Sequence, residues 1–128
     1  MKLSLIGYGK MGQAVELAAK EKKHHIISRI SLEKDLADYH EISKKALAAT
    51  DVCIDFSHPN AVIDNATAVG KHRLNLVIGT TGWYEKMEVM NSIAKEYGIG
   101  IIYGANFSIG VQAFYEIIEH ASKVFHKL

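Results

Sequence analysis

The sequence predicts an α/β fold: a doubly wound parallel sheet in a single domain. Short apolar runs rich in Ile and Val alternate with longer amphipathic segments, and Gly, Pro, Asn, Asp or Ser marks each change. Four of the five apolar runs are almost free of polar residues, as expected of strands covered by helices on both faces. Alternation of this kind argues for right-handed βαβ units and a parallel sheet. At 128 residues, 48% hydrophobic and 23% charged, the chain supplies apolar material for one core.

The predicted strands are 2–6, 25–30, 52–56, 76–78 and 100–103. Between and after them the helical spacing covers 10–22, 59–72, 84–97 and 109–126. Pro59 suits a first helical turn, with Ser57 just ahead as a capping candidate. In the last helix Val111, Phe114, Ile118, Ala121 and Phe125 recur on one side, opposite Glu116, Glu119, His120, Lys123 and Lys127. Residues 31–51 carry the weakest pattern, a short helix over 43–49 within a loop.

Composition excludes several functions. The net charge of +1, from 15 basic and 14 acidic residues, gives no global field for nucleic acid or an anionic membrane. Cys53 is the single cysteine and lies in an apolar run, so it reads as a small buried hydrophobe in a reducing compartment. The N-terminus has no signal-peptide pattern, and no apolar run approaches the ~20 residues of a membrane span, so the expected location is cytoplasmic. The seven histidines have no Cys or carboxylate partners at metal spacing, and no metal site is expected. Ser57 and His58 are adjacent and lack a third group, so they make no nucleophile and base pair. Asp55 ends a buried strand and is expected to tie the following turn rather than act as a base. Trp83 and Tyr84 read as a helix anchor or as a rim over a ligand.

The first strand runs into Ile6-Gly-Tyr-Gly-Lys-Met-Gly12, a GxGxxG loop that opens a helix. Gly7 permits the tight turn, Gly9 lets backbone approach a pyrophosphate, and Gly12 lets helix and strand pack closely. The helix N-terminus adds free N–H groups and partial positive charge, with Lys10 as a neighbouring cation. This context makes the fold Rossmann-like and the expected ligand a nicotinamide dinucleotide. An NAD site places Asp or Glu at the end of the second strand, where this chain reads Ser28-Arg29-Ile30-Ser31. Arg29 is suited to a 2′-phosphate, so NADPH is expected over NADH, with NADH possible; a solvated strand-end charge is the alternative reading of Arg29. Glu33 lies too far along unless a bent loop returns it.

Three later segments fall at the carboxyl ends of strands, where open parallel sheets bind ligands: 55–59, 79–82 and 104–108. Taken together, IGYGKMG, CIDFSHP, VIGTTGWYE and ANFSIG resemble the N-terminal domain of the 4-hydroxy-tetrahydrodipicolinate reductases, the dihydrodipicolinate reductase family of lysine biosynthesis. The likeness runs from Lys2 to about Val124, and VIGTTG with ANFSIG is far more specific than the glycine pattern. It implies that Gly7, Tyr8, Gly9, Lys10, Met11 and Gly12 hold the pyrophosphate and that Arg29 meets the adenosine phosphate. Phe56 and Ser57 border the cofactor, Gly79, Thr80 and Thr81 lie beside the nicotinamide and its ribose, and Gly104, Ala105, Asn106 and Phe107 support the nicotinamide amide.

There are departures from that pattern. The more usual family loop has one more residue between its first two glycines, so this chain resembles a shorter-loop subgroup. Ser28 stands where many members carry the acid that contacts the ribose of NADH. In the family the chain continues through a connecting helix, here 109–128, into a second domain. That domain binds the cyclic dicarboxylate substrate, builds a homotetramer and carries the proposed acid histidine and a lysine. No segment of this sequence matches it, so the catalytic groups are expected outside residues 1–128 and the chain alone is expected to be inactive. The helix ending abruptly at Phe125-His126-Lys127-Leu128 reads as the edge of a cut piece. The leading expectation is the NAD(P)H-binding domain of this reductase. The alternatives are a stand-alone NADPH sensor or partner module without catalysis, and another aspartate-pathway dehydrogenase, disfavoured because no catalytic cysteine follows the sheet.

Overall fold

A computed structural model describes residues 1–32 and 36–126. Five strands form one sheet: β1 (Lys2–Ile6), β2 (His25–Ile30), β3 (Val52–Asp55), β4 (Asn75–Ile78) and β5 (Ile101–Tyr103). The helices are α1 (Lys10–Glu21), α2 (Val62–Lys71), α3 (Met87–Tyr97) and α4 (Ile109–Phe125). The strand order is β2-β1-β3-β4-β5, and every neighbouring pair is parallel. From β1 the chain steps outward through α1 to β2; from β3 it steps the other way through α2 and α3. Right-handed crossovers in opposite directions put α1 on one face and α2 with α3 on the other, the doubly wound arrangement the sequence predicts. The direction reverses between β1 and β3, so the loops after Ile6 and Asp55 part there and leave a crevice.

Helical periodicity decides which residues enter the core. The buried positions of α2 are Val62, Ala66, Val69 and Gly70, and those of α3 are Met90 and Ile93. They close on Cys53, Leu76 and Ile78 from the sheet and on Trp83. Cys53 has no exposed surface, and burial followed by the nearby Asp55 charge pushes its thiol pKa up to about 12. On α1 the buried stripe is Gly12, Glu16 and Ala19, which places a carboxylate where an apolar residue is usual.

Several expected boundaries move. Residues 59–61 form a turn closed by the Ala61 N–H on the His58 carbonyl at 2.9 Å, and α2 starts only at Val62. Ser57 does not cap it, because its hydroxyl donates to Asp55 Oδ1 at 2.7 Å. Residues 43–49 make successive turns instead of a helix: Leu47 N–H reaches the Ser43 carbonyl, but Ala48 and Thr50 bond only three residues back. Burial of Ala46 and Leu47 against the core fixes these turns without the cost of nucleating a helix. The span 84–97 divides into a 3-10 turn, Tyr84–Lys86, followed by α3.

Helix α4 has no buried residue, and its apolar stripe lies open, with Phe114, Ile118 and Phe125 all exposed. Ile102 and Tyr103 of the edge strand β5 and Phe107 beyond it are exposed as well. Among the described residues no helix is long and apolar enough to cross a membrane.

Candidate functional site

The three glycines of the first loop are distinguished by what surrounds them. Gly7 has φ +82°, and its N–H donates to the Ile30 carbonyl at 2.8 Å. A Cβ there would overlap the Phe56 carbonyl and the Ser57 amide. At Gly12 a Cβ would overlap the Gly7 carbonyl oxygen, because the first turn of α1 rests directly on the loop. Gly9 is different: a Cβ would meet nothing within 4 Å. Gly9 is also the N-cap of α1, where no side chain caps the helix and the first turn has no acid. The protein therefore leaves a free surface over the positive end of a helix, the arrangement that accepts a phosphate group.

Two clefts flank this point. The larger, about 400 Å³, is lined by Gly7, Tyr8 and Gly9, by Ile30 at the end of β2 with Ser31 and Leu32 after it, and by Phe56, Ser57 and His58 after β3. It is completed by His40, Glu41 and Ile42 and by Ala61 and Asn65 at the start of α2. The smaller, about 230 Å³, is lined by Met11, Phe56, Ser57, Pro59, Gly79, Thr80 and Thr81. Phe56 and Ser57 belong to both and form the partition between them. The Phe56 ring lies over Gly79, which has no side chain to hold it off.

The structure thus gathers Gly7, Tyr8, Gly9, Met11, Phe56, Ser57, Gly79, Thr80 and Thr81 around one crevice. Lys10 and Gly12 support the helix start without lining either cleft. Gly104, Ala105, Asn106 and Phe107 lie beyond β5 and line neither, and the Phe107 ring folds back on Gly104. Asn106 instead organises the start of α4, where its Oδ1 accepts from the Ser108 N–H at 2.8 Å and its carbonyl from Gln112 Nε2 at 2.7 Å. Trp83 is an anchor: it is 2% exposed, its Nε1–H donates to the Thr80 carbonyl at 2.8 Å, and its ring packs on Tyr84 and Tyr103.

Arg29 is in the lining of neither cleft. Its Nε donates to Glu16 Oε2 at 2.7 Å, and its Nη2 bonds Glu16 Oε1, making a two-pronged contact with the buried stripe of α1. Its Nη1 donates to Asp38 Oδ2 at 3.0 Å, and its carbon lies 5.6 Å from the centre of the Tyr8 ring. Tyr8 donates its hydroxyl to Glu16 Oε2, and Lys20 Nζ reaches Oε1 at 2.5 Å. Hydrogen bonding from Arg29, opposed by desolvation, lowers the Glu16 pKa to about 2, while Arg29 is raised by the same pairing.

A carboxylate does reach Arg29 at the end of β2, from a returning segment. Asp38 and Tyr39 donate their N–H groups to the Arg29 carbonyl at 2.9 and 3.1 Å, and Ser31 N–H donates to the Tyr39 carbonyl. Asp38 Oδ2 then also accepts the Arg29 N–H at 2.9 Å. A return at this point is the bent loop considered for Glu33, with a different acid; Glu33 itself lies outside the described residues. No periodic signal in 31–51 announces the return. Ser28 is fully buried inside the sheet and donates to Ser4 Oγ at 2.9 Å, so its side chain does not face the crevice.

With this geometry in place, comparison with known proteins decides the family. A family model described as dihydrodipicolinate reductase, N-terminus, matches residues 1–107. The chain belongs to the dihydrodipicolinate reductase family. A 4-hydroxy-tetrahydrodipicolinate reductase of Staphylococcus haemolyticus is 39% identical over 126 residues, covering 94% of this chain and 50% of the relative. One from Christiangramia forsetii is 37% identical over 117 residues, 91% of this chain and 46% of the relative. The chain therefore spans about half the length of these curated reductases. Among solved structures, a probable dehydrogenase from Thermotoga maritima superposes with a TM-score of 0.69 at 13% identity, over 81% of this chain and 36% of that one. An engineered D-amino acid dehydrogenase bound to NADP+ gives 0.67 at 18% identity, over 95% and 41%. These two likenesses establish the Rossmann-like fold. The dihydrodipicolinate reductase match ends at Phe107, just before Ser108 caps α4 through its hydroxyl.

Proposed function

We propose that this chain is the NADPH-preferring, NADH-accepting dinucleotide half of a cytoplasmic 4-hydroxy-tetrahydrodipicolinate reductase. The observation that carries this reading is the open surface over Gly9, between two glycines whose packing tolerates no side chain. In this reading Gly7 to Gly12 seat the pyrophosphate at the uncapped start of α1, and the larger cleft takes the adenosine half. The smaller cleft takes the nicotinamide and its ribose against Gly79, Thr80 and Thr81, and Gly104 to Phe107 approach the amide when the crevice is filled.

When bound, the reduced nicotinamide supplies the hydride. This chain's residues bind it, orient it and keep water away from one of its faces. Phe56 divides the two halves of the ligand, and Ser57, Gly79, Thr80 and Thr81 line the nicotinamide side. The proton donor and the clamps for a cyclic dicarboxylate are assigned to a second domain, which also builds the homotetramer. Exposed Ile102, Phe107, Phe114 and Ile118 support a seat for that domain along β5 and α4.

Arg29 supports the NADPH preference, and its existing bonds to Glu16 and Asp38 support acceptance of NADH as well. Calorimetric titration of the chain with NADPH and NADH tests the reading. Binding of both, tighter for NADPH, is expected; absence of heat with either at millimolar concentration would overturn it.

A further inference from the structure

Asp55 closes β3 and is completely buried, yet no cation pairs with it among the described residues. Its Oδ1 accepts three hydrogen bonds, from the Ser57 N–H at 2.8 Å, the Ser57 hydroxyl at 2.7 Å and the Thr80 hydroxyl at 2.9 Å. Its Oδ2 accepts from Asn65 Nδ2 at 2.9 Å, and the same amide donates to Ser57 Oγ at 3.0 Å. The Asp55 carbonyl takes the Gly79 N–H at 2.8 Å. One residue thus ties the end of β3, the end of β4 and the first turn of α2. The segments it ties, Phe56–Ser57 and Gly79–Thr81, are facing walls of the smaller cleft, whereas Asp55 lines neither cleft.

Burying a carboxylate without a cation is costly, and an apolar side chain would fill the same space at lower cost. A fully satisfied buried network, in contrast, fixes one geometry. We propose that Asp55 is a positioning residue for the nicotinamide end of the ligand: it sets the separation of Ser57 from Thr80, and so the width of the slot between them. The inference rests on the dinucleotide reading above and adds to it a residue that never touches the ligand.

The arrangement of donors prescribes a test. In Asp55→Asn, the new NH2 faces Asn65 Nδ2 or the three donors at Oδ1; turning the Asn65 amide over relieves the first opposition but gives up its bond to Ser57 Oγ, so at least one tie is lost. Trp83, the only tryptophan, is hydrogen-bonded to the Thr80 carbonyl and reports on this loop through energy transfer to reduced nicotinamide. Affinities for NADPH and for 2′,5′-ADP, which lacks the nicotinamide half, separate the two ends of the site.

Asp55→Asn is expected to weaken NADPH by about tenfold or more, in line with one buried group left unsatisfied, and to reduce energy transfer from Trp83 at saturation. Binding of 2′,5′-ADP stays within about twofold. Thr80→Val, which removes one tie and keeps the volume, shows the same asymmetry more weakly and serves if Asp55→Asn is unstable. Equal weakening of both ligands, or no weakening of either, would overturn the positioning role. A wild-type chain that binds neither ligand would overturn the dinucleotide reading and this inference with it.

Discussion

Arg29 is held to Glu16 by two hydrogen bonds, Nε to Oε2 at 2.7 Å and Nη2 to Oε1, so the cation expected to meet a 2′-phosphate is already anchored to α1. Asp38 takes the remaining edge through Nη1 at 3.0 Å and is the exposed partner of the two. A 2′-phosphate would have to displace Asp38, while the unsubstituted ribose of NADH would not. Asp38→Asn is therefore expected to tighten NADPH by about two- to fivefold, the value of an exposed ion pair, and to leave NADH unchanged. Arg29→Ala is expected to weaken NADPH selectively. Calorimetric titrations with both nucleotides decide this, and equal changes for the two would remove Arg29 from the phosphate contact.

The same pair governs acid stability. Glu16 has its pKa lowered from 4.5 to about 2, chiefly by the Arg29 hydrogen bonds. A depressed carboxyl pKa stabilises the fold fully above the unfolded value, and the contribution is lost as pH falls from about 4.5 through about 2. Glu16→Gln is expected to be less stable than the parent by about 1–3 kcal/mol at pH 7, as for a lost charged hydrogen bond. That gap should narrow between pH 4.5 and pH 2. Urea unfolding across this range measures it, and a gap that stays constant with pH would place the effect outside the ionisation of Glu16.

The pattern of apolar runs was enough to find all five strands and all four principal helices, because each buries a face whose period is visible along the chain. It failed at 43–49 and 59–61, where single turns are fixed by tertiary burial and by local hydrogen bonds that carry no period. The site shows the same division. Gly7, Gly9 and Gly12 follow from the chemistry of a tight strand-to-helix turn. Asp38 was invisible because it reaches Arg29 through a backbone return, and Glu16 because a carboxylate on a buried stripe looks like an interruption. Asp55 was legible as the tie of one turn, but its second tie, to Thr80, depends on the pairing of β3 with β4.

Cys53 offers a check on the core. Its thiol is pushed up to about 12 from 9.0, so the thiolate fraction near neutral pH falls by about a thousandfold before steric cover is counted. Native protein is expected to resist a thiol reagent such as DTNB for as long as it stays folded, and to react fully in denaturant. The native labelling rate should then follow the opening of the domain as urea is raised. Rapid labelling in native buffer would show that β3 is not the covered central strand described here.

The glycine loop yields the sharpest separation between folding and binding. At Gly7 an added Cβ must enter the Phe56 carbonyl with φ held at +82°, and at Gly12 it must enter the Gly7 carbonyl. Both oxygens belong to backbone and cannot swing aside, so Gly7→Ala and Gly12→Ala should each destabilise the domain by about 2 kcal/mol or more. Gly9 has open space, so Gly9→Ala should lower the urea midpoint only by the modest preference of an N-cap for Gly over Ala, well short of the other two. In the Gly9→Ala variant the new methyl group occupies the surface a pyrophosphate would approach, and dinucleotide affinity should fall by at least about tenfold through the loss of close N–H contacts. Three alanine variants measured for stability and NADPH binding therefore divide into two destabilised proteins and one stable protein that binds poorly. A stable Gly9→Ala chain with undiminished affinity would mean that the pyrophosphate does not lie over this turn.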